Sequence, residues 1–286
     1  FEMLSDESRV HGGHASGVYR LRRESGRCCL KVHEDVSHWE CEVHGYEQWA
    51  PVFGEHAPKL IAVREEPPLA LIVSELPGTI LEKVRLVPSQ ERDVWFAAGE
   101  ALATLHGLAE GTCFGPCHRD GSCVQGAVRE ASEYVAGSLD AWVQRGVRAG
   151  CLTADELATI QAARELAPAF AGERPLPCHR DYCPANWLVS DEGAWVGVID
   201  FEFSHWDVRA ADLTRYPDWD WIDRPEMVEA LLAGYGRSFT AAEEQQWLVA
   251  HVQYALSAIV WGQENAFYGF KAEGQRALRH LAPLLR

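Results

Sequence analysis

No run of about 18 consecutive apolar residues occurs in the chain, so no membrane-spanning helix is expected. Basic residues are scarce: 26 Lys and Arg stand against 42 Asp and Glu, a formal charge of −16. That balance works against binding to nucleic acid or to an anionic membrane, where positive charge supplies much of the affinity. It suits a cationic small molecule, and it equally suits plain solubility. The first residues, FEMLSDESRV, lack the basic segment and apolar core of a secretory leader. The nine cysteines are odd in number and unpatterned, and read as reduced thiols of a cytoplasmic protein. Cys113, Cys117, His118 and Cys123 do gather in one stretch, but no second C-x-x-C or H-x-x-x-H pair completes a zinc site. Internal repeats, low-complexity tracts and long linkers are also missing. What is present is a globular composition, 47% apolar and 24% charged, in 286 residues. That length holds one large domain or two modest lobes, as a monomer or homodimer.

The first part of the chain reads as β-rich. VHGGHASGVYRLRR places glycines at 12, 13 and 17 before an alternating strand, and RCCLKVH is the next alternating run. A glycine-rich turn between strands lets backbone N–H groups approach phosphates without a Cβ in the way. Lys31 sits between Leu30 and Val32, and a lysine in an apolar strand requires an anionic partner. SHWECEVHGYEQWAPVF then reads as a helix, with Ser37 as its cap and Glu40 completing a capping box. Glu42, beside the apolar stripe, is the favoured partner for Lys31, with Glu40 the alternative. Two strands follow around the turn EEPP, ending in LIVSELPG. There the Ser74 carbonyl and the Leu76 N–H are candidates to meet a purine edge, before Pro77 ends the ladder.

From Pro88 onward helical periodicity dominates: 88–111, 125–150 and 153–172, the last capped by Thr153 and Glu156, then three more helices from Pro225. His106, His251 and Glu264 fall on these helices and read as structural. Between the two helical groups lies CHRDYCPANWLVSDEGAWVGVIDFEF, residues 178–203. Phosphoryl transfer needs a group that orients or accepts the proton of an attacking hydroxyl, and oxygen ligands for magnesium. Asp181 is suited to the first task, and Asn186 and Asp200 to the second. A hairpin, WLV–SDEG–AWVGVI, brings the last two together. The tripeptide alone says little, because CHRD also occurs at Cys117–Asp120, where the fifth residue past the aspartate is Gln125. Asp212, opening the turn DLTRY, or Asp207 is placed to brace the loop through backbone N–H groups. In YPDWDWID, Asp218 and Asp220 with Trp219 or Trp221 either wall a cleft for a cationic or hydroxylated substrate, or form a surface loop pinned by tryptophans.

These residues, in this order, resemble the aminoglycoside phosphotransferase family of kinases acting on small-molecule hydroxyls. GGHASGVYRL is similar to its nucleotide loop, LKV to its lysine strand and LIVSELPG to its hinge. LATLHGL, HRDYCPANWL and VIDFE are similar to its later helix, catalytic loop and metal strand. The resemblance implies an α+β, protein-kinase-like fold, with a β-rich N-lobe at 1–76 and a helical C-lobe at 77–286. It implies Asp181 as the catalytic residue, Asn186 and Asp200 as Mg2+ ligands, and Gly13, Ser16, Lys31, Glu42, Ser74 and Leu76 around ATP or GTP. Arg180 and Gly17 depart from the usual pattern, and the cysteine-bearing stretch 112–124 matches no family feature. The acceptor implied is an antibiotic hydroxyl, on an aminoglycoside or a nucleoside or peptide antibiotic. The alternatives are a metabolite such as choline, a methylthio-sugar or homoserine, and a non-catalytic nucleotide-binding protein.

Overall fold

The structure is a computed structural model and describes residues 2–6, 16–24 and 26–285. Gly13 lies outside the described residues, and of Ser16 the backbone alone is described. Five strands form one antiparallel sheet: β1 (Glu2–Asp6), β2 (Ser16–Arg23), β3 (Gly26–His33), β4 (Leu60–Arg64) and β5 (Leu69–Ser74), in the order β1-β2-β3-β5-β4. The β2–β3 register sets Val18 opposite Lys31, and β5 sets Leu71 on its other side. Lys31 therefore stands mid-sheet, on the face covered by helix α1 (Val36–His44). The cap of α1 is Asp35, not Ser37: its carboxylate accepts His38 N–H at 2.9 Å. Asp35 has the extended backbone that an N-cap requires, whereas Ser37 already lies inside the first turn.

Short strands and long helices make up the second lobe. Helix α2 (Pro88–His106) packs on α5 (Pro225–Tyr235), and α6 (Ala241–Glu264) on α7 (Tyr268–Leu281), with α3 (Ala131–Arg148) and α4 (Ala154–Glu165) alongside. Two glycines permit the α2–α5 approach. A Cβ at Gly99 would stand 2.0 Å from the Leu231 carbonyl oxygen, and one at Gly234 1.9 Å from that of Phe96. Thr153 and Glu156 form the expected capping box of α4. Helix α3 begins six residues later than its periodicity suggests, because the Glu130 side chain accepts Glu133 N–H and caps it there.

Between these helices run β6 (Thr79–Ile80), β7 (Leu176–Cys178), β8 (Trp187–Val189), β9 (Trp195–Val198) and β10 (His205–Asp207). β8 and β9 form the expected hairpin, and β7 pairs with β10. Behind the hairpin sits an aromatic core. Trp95 and Trp187 meet edge to face at 5.0 Å, with Tyr182 at 5.3 Å from Trp187 and Tyr216 at 5.6 Å from Trp95. Removing one such fully buried ring costs about 3–5 kcal/mol, so the segment 178–187 is anchored by its own aromatics.

Candidate active site

The loop after β7 is held from below. Arg180 has φ 69°, a left-handed conformation that an L-residue keeps only when its surroundings impose it. Buried Asp212 does so: its carboxylate accepts His179 N–H at 2.8 Å and Arg180 N–H at 2.6 Å, and His106 Nε2 lies 3.2 Å away. Burial opposes the charge on Asp212, but His106, His179 and the backbone bonds outweigh it and hold its pKa below the usual carboxylate range. Asp207 has the other task, pairing with Arg180 Nη1 at 2.5 Å and accepting Tyr134 O–H at 3.1 Å. Tyr182 O–H bonds the Ala98 carbonyl at 2.7 Å and ties the loop to α2. His106 thus ends α2 and meets both Asp212 and Tyr235, as a support beneath the loop.

On this base Asp181 is fixed by Asn186, whose Nδ2 donates to Asp181 Oδ2 at 2.7 Å and to its carbonyl at 2.9 Å. Burial pushes the Asp181 carboxyl above its usual pKa, against the pull of Arg215 and His179. Across the hairpin, Ile199 N–H bonds the Asn186 carbonyl at 3.0 Å, so Asp200 begins one residue beyond that link. Asp200 also has a positive φ, 71°. His179 reaches the same junction from below, with Nε2 3.0 Å from the Ile199 carbonyl.

The sheet lobe meets this junction through Lys31. Its Nζ lies 2.5 Å from Glu42 Oε1, 2.6 Å from Asp200 Oδ1 and 3.6 Å from Glu202. Burial lowers the lysine pKa, but Asp200, Glu42 and Glu202 reverse that and leave it well above the ordinary range. Of the two candidate partners on α1, Glu42 meets Lys31, and Glu40 instead pairs with His118 at 3.0 Å. His33 Nε2 supports Glu42 at 2.7 Å. Buried Phe201 joins the lobes, 5.1 Å from Tyr46, 6.1 Å from Phe53 and 4.7 Å from His179.

Lys31, Ser74, Leu76 and Asp200 line one cleft of about 270 Å3, closed by Val18, Cys29, Val73 and Leu188. Ser74 Oγ accepts Lys59 N–H at 2.8 Å and fixes the end of β5. The donor set beside the cleft is hard oxygen: the Asp200 carboxylate, and Asn186 Oδ1, which has no hydrogen-bond partner among the described residues while the amide N–H groups face Asp181. Few protein ligands, both oxygen, fit a magnesium ion that retains water and phosphate ligands.

On the far side of Asp181 lie residues the motif reading did not single out. Arg215 Nε donates to the Arg180 carbonyl, and its guanidinium stands 5.2 Å from the Tyr254 ring centroid. Glu82 is raised above its normal pKa by burial and by facing Asp220 and Asp181. Glu273 is pushed up to about 7, by burial first and then by Asp218. No motif marks these residues, which come from segments far apart in the chain: Glu82 before α2, Arg215 before α5, Tyr254 on α6 and Glu273 on α7. In the Trp/Asp stretch, Asp218 pairs with Arg276 at 3.0 Å and Asp220 with Arg224 at 2.6 Å. Trp221 is buried, 4.3 Å from the His251 ring, while Trp219 is half exposed. Trp219 and Asp220 line an open cavity of about 600 Å3 with Glu82, Pro184 and Arg224. His251 is a core residue, its pKa lowered to about 3 by burial, and Glu264 pairs with Arg145 at 2.5 Å.

The cysteine reading needs correction. Cys113 and Cys123 form a disulfide, so not all nine cysteines are thiols, and the pair is closed to zinc. The loop 112–128 folds back so that their Cα atoms stand 6.0 Å apart, within bonding reach. Composition cannot foresee such a local approach. The first CHRD copy lies on this loop, away from the cleft.

A mid-sheet Lys–Glu pair over a helical lobe, with Asp–Asn on a braced loop and an aspartate after a hairpin, defines the protein-kinase-like fold of small-molecule phosphotransferases. The chain belongs to the phosphotransferase enzyme family, whose model matches residues 6–247. A homoserine kinase from Phenylobacterium zucineum (strain HLK1) is 30% identical over 221 residues, 70% of this chain and 61% of that protein. The match therefore spans less than two thirds of that relative's length. Among solved structures, a thermostable mutant of aminoglycoside phosphotransferase APH(4)-Ia superposes with a TM-score of 0.75 at 14% identity, covering 98% of this chain and 94% of the other. The GDP complex of aminoglycoside 2'-phosphotransferase-IIIa gives 0.70 at 13% identity, covering 99% and 94%. At such identity these two share the fold. Among the described residues no helix is long and apolar enough to cross a membrane.

Proposed function

We propose that this protein transfers the γ-phosphoryl group of ATP or GTP to a hydroxyl of a small molecule. The observation that carries the reading is convergence. Lys31 from β3 and Asp200 from beyond the hairpin line one cleft, Glu42 from α1 holds Lys31, and the Asn186–Ile199 backbone bond ties the braced loop with Asp181 and Asn186 to that junction. We place the lobe boundary at Leu76/Pro77, where β5 has ended, with the nucleotide base against Ser74 and Leu76. Gly13 and Ser16 belong to the phosphate-covering loop in this reading.

Asp181 accepts or orients the proton of the attacking hydroxyl, held at the correct angle by Asn186. The Lys31 ammonium, fixed by Glu42, neutralises phosphate charge as it spreads in transfer. Asn186 and Asp200 would hold Mg2+, which would supply positive charge to offset that of the phosphates. The burial that raises the Asp181 pKa also makes it a better proton acceptor for a weakly acidic hydroxyl.

For the acceptor, Glu82 lies near Asp220 and Asp181 and Glu273 near Asp218 and Glu82, an acidic group suited to a basic antibiotic, and the protein would then confer resistance in the cytoplasm. A small metabolite such as homoserine is the second reading. It is favoured by the 30% identity to a homoserine kinase and by Arg215, which has no carboxylate in salt-bridge contact among the described residues. Transfer of labelled γ-phosphate to aminoglycosides, homoserine and choline, side by side, decides between them. No transfer to any acceptor, with an Asp181→Asn variant equal to wild type, would refute the enzyme reading and leave a nucleotide-binding protein.

A further inference from the structure

Residues 112–128 form a loop rooted in the helical lobe with its tip on α1. At the root, Gly115 N–H bonds the Trp206 carbonyl at 2.7 Å, and Phe114 stacks on Tyr134 at 5.2 Å. At the tip, Cys41 Sγ meets the Cys117 carbonyl at 3.5 Å, Glu40 pairs with His118, and His44 Nδ1 lies 2.9 Å from the Arg119 carbonyl. Arg119 pairs with Glu47, and with Glu65 in the β4–β5 turn, each at 2.5 Å. Glu40, Cys41, His44 and Glu47 recur at i, i+1, i+4 and i+7, one face of the helical segment that follows Asp35. Glu42 projects off that face toward Lys31. Gly121 permits the fit: its φ is 80°, and a Cβ there would stand 2.6 Å from the His44 ring. The Cys113–Cys123 disulfide closes the loop between root and tip.

We propose that this loop is a clasp that positions α1, and through it the Glu42–Lys31 pair, and that its disulfide makes the grip on nucleotide redox-sensitive. Arg119 and His118 are positioning residues in this account; they act through α1. The proposal rests on reading the Lys31–Asp200 cleft as the nucleotide site. Opening the clasp takes a dithiol: its thiolate attacks Cys123, which is part-exposed, while Cys113 is buried. The Cys113–Cys123 bond accepts two electrons and two protons to become two thiols, as the dithiol closes to its own disulfide. Cys41 and Cys117 take no part in the exchange. Burial keeps both out of reach, while their mutual hydrogen bond lowers the Cys41 thiol pKa and raises that of Cys117.

The test compares oxidised wild type, wild type reduced by dithiothreitol, Cys113→Ser/Cys123→Ser, Arg119→Ala and Arg119→Lys. Calorimetry reads the affinity for Mg2+ with a non-hydrolysable ATP analogue, and hydrogen exchange reads the α1 amides. Reduction, the double serine variant and Arg119→Ala are expected to weaken nucleotide binding roughly tenfold and to speed α1 exchange. Arg119→Lys is expected to recover part of the loss, and reoxidation to restore the reduced wild type. Affinity and α1 exchange unchanged within about twofold, or no disulfide by mass in oxidised protein, would overturn the clasp. If oxidised wild type binds no nucleotide, the kinase reading fails instead, and the α1 exchange rates alone decide the clasp.

Discussion

Replacing Asp212 by alanine removes the acceptor for two backbone N–H groups and the partner of His106, at a residue that is itself fully buried. Each buried donor left unpaired costs about 1–3 kcal/mol. The φ of Arg180 adds strain that the two bonds now offset. Allowing for partial relaxation, the loss is on the order of 4 kcal/mol, a large share of the ~5–15 kcal/mol that holds a native protein. For a chain of this size that lowers Tm by roughly 8 °C. Denaturant unfolding followed by tryptophan fluorescence is the direct assay, because Trp95 and Trp187 stand behind the loop. Asp212→Asn keeps one acceptor and is expected to lose about half as much. The pH dependence has a defined sign. The folded pKa is depressed, so the contribution is present above the ordinary aspartate pKa and fades as pH falls through the lower folded value. Wild type and Asp212→Asn should therefore converge in stability in acid. An Asp212→Ala protein within about 1 kcal/mol of wild type at neutral pH would show that the loop is braced by something else.

Asp181→Asn is expected to cut turnover by at least ~10³ while nucleotide affinity stays within about twofold, measured by coupled assay and calorimetry. Asp200→Ala should abolish Mg2+-dependent nucleotide binding, and retention of that binding would remove Asp200 from the metal site. Lys31→Met leaves Glu42 and Asp200 facing each other without their cation, and should raise the KM for nucleotide at least tenfold with a smaller change in the acceptor KM. For Glu273, whose carboxyl titrates near 7, affinity for a cationic acceptor should improve as pH rises through that value, and Glu273→Gln should flatten the profile. Its stability effect has the opposite sense: a raised folded pKa makes wild type lose stability as pH climbs from the ordinary glutamate value toward 7, where Glu273→Gln is the more stable protein.

Much of the candidate site's geometry was legible because its spacing is local. A two-strand hairpin fixes where Asp200 falls relative to Asn186, whatever surrounds it, since backbone pairing sets the register over a few residues. The N-terminal alternation likewise placed Lys31 mid-strand, and helical phase favoured Glu42 over Glu40, with the structure bringing Glu42 to the lysine. The Ser37 cap was misread by two residues because several side chains before α1 are able to cap, and backbone conformation chooses among them. Gly13 lies beyond the described residues.

The sequence by itself determined the fold class, the family and the order of the elements that meet at the cleft. These follow from periodicities of two and 3.6 residues and from short motifs, which carry their geometry with them. Tertiary structure alone decided which of Asp207 and Asp212 receives the loop backbone and that Asp218 and Asp220 are held by Arg276 and Arg224. It also decided that Glu202 joins the lysine, that Arg215 faces Asp181 and that Glu273 faces Asp218. It converted a scattered pair, Cys113 and Cys123, into a bond, and the apparent duplicate CHRD into the tip of a loop packed on α1. Each of these depends on contacts between segments far apart in the chain. Such contacts are set by how helices and sheet pack, and no local pattern records them.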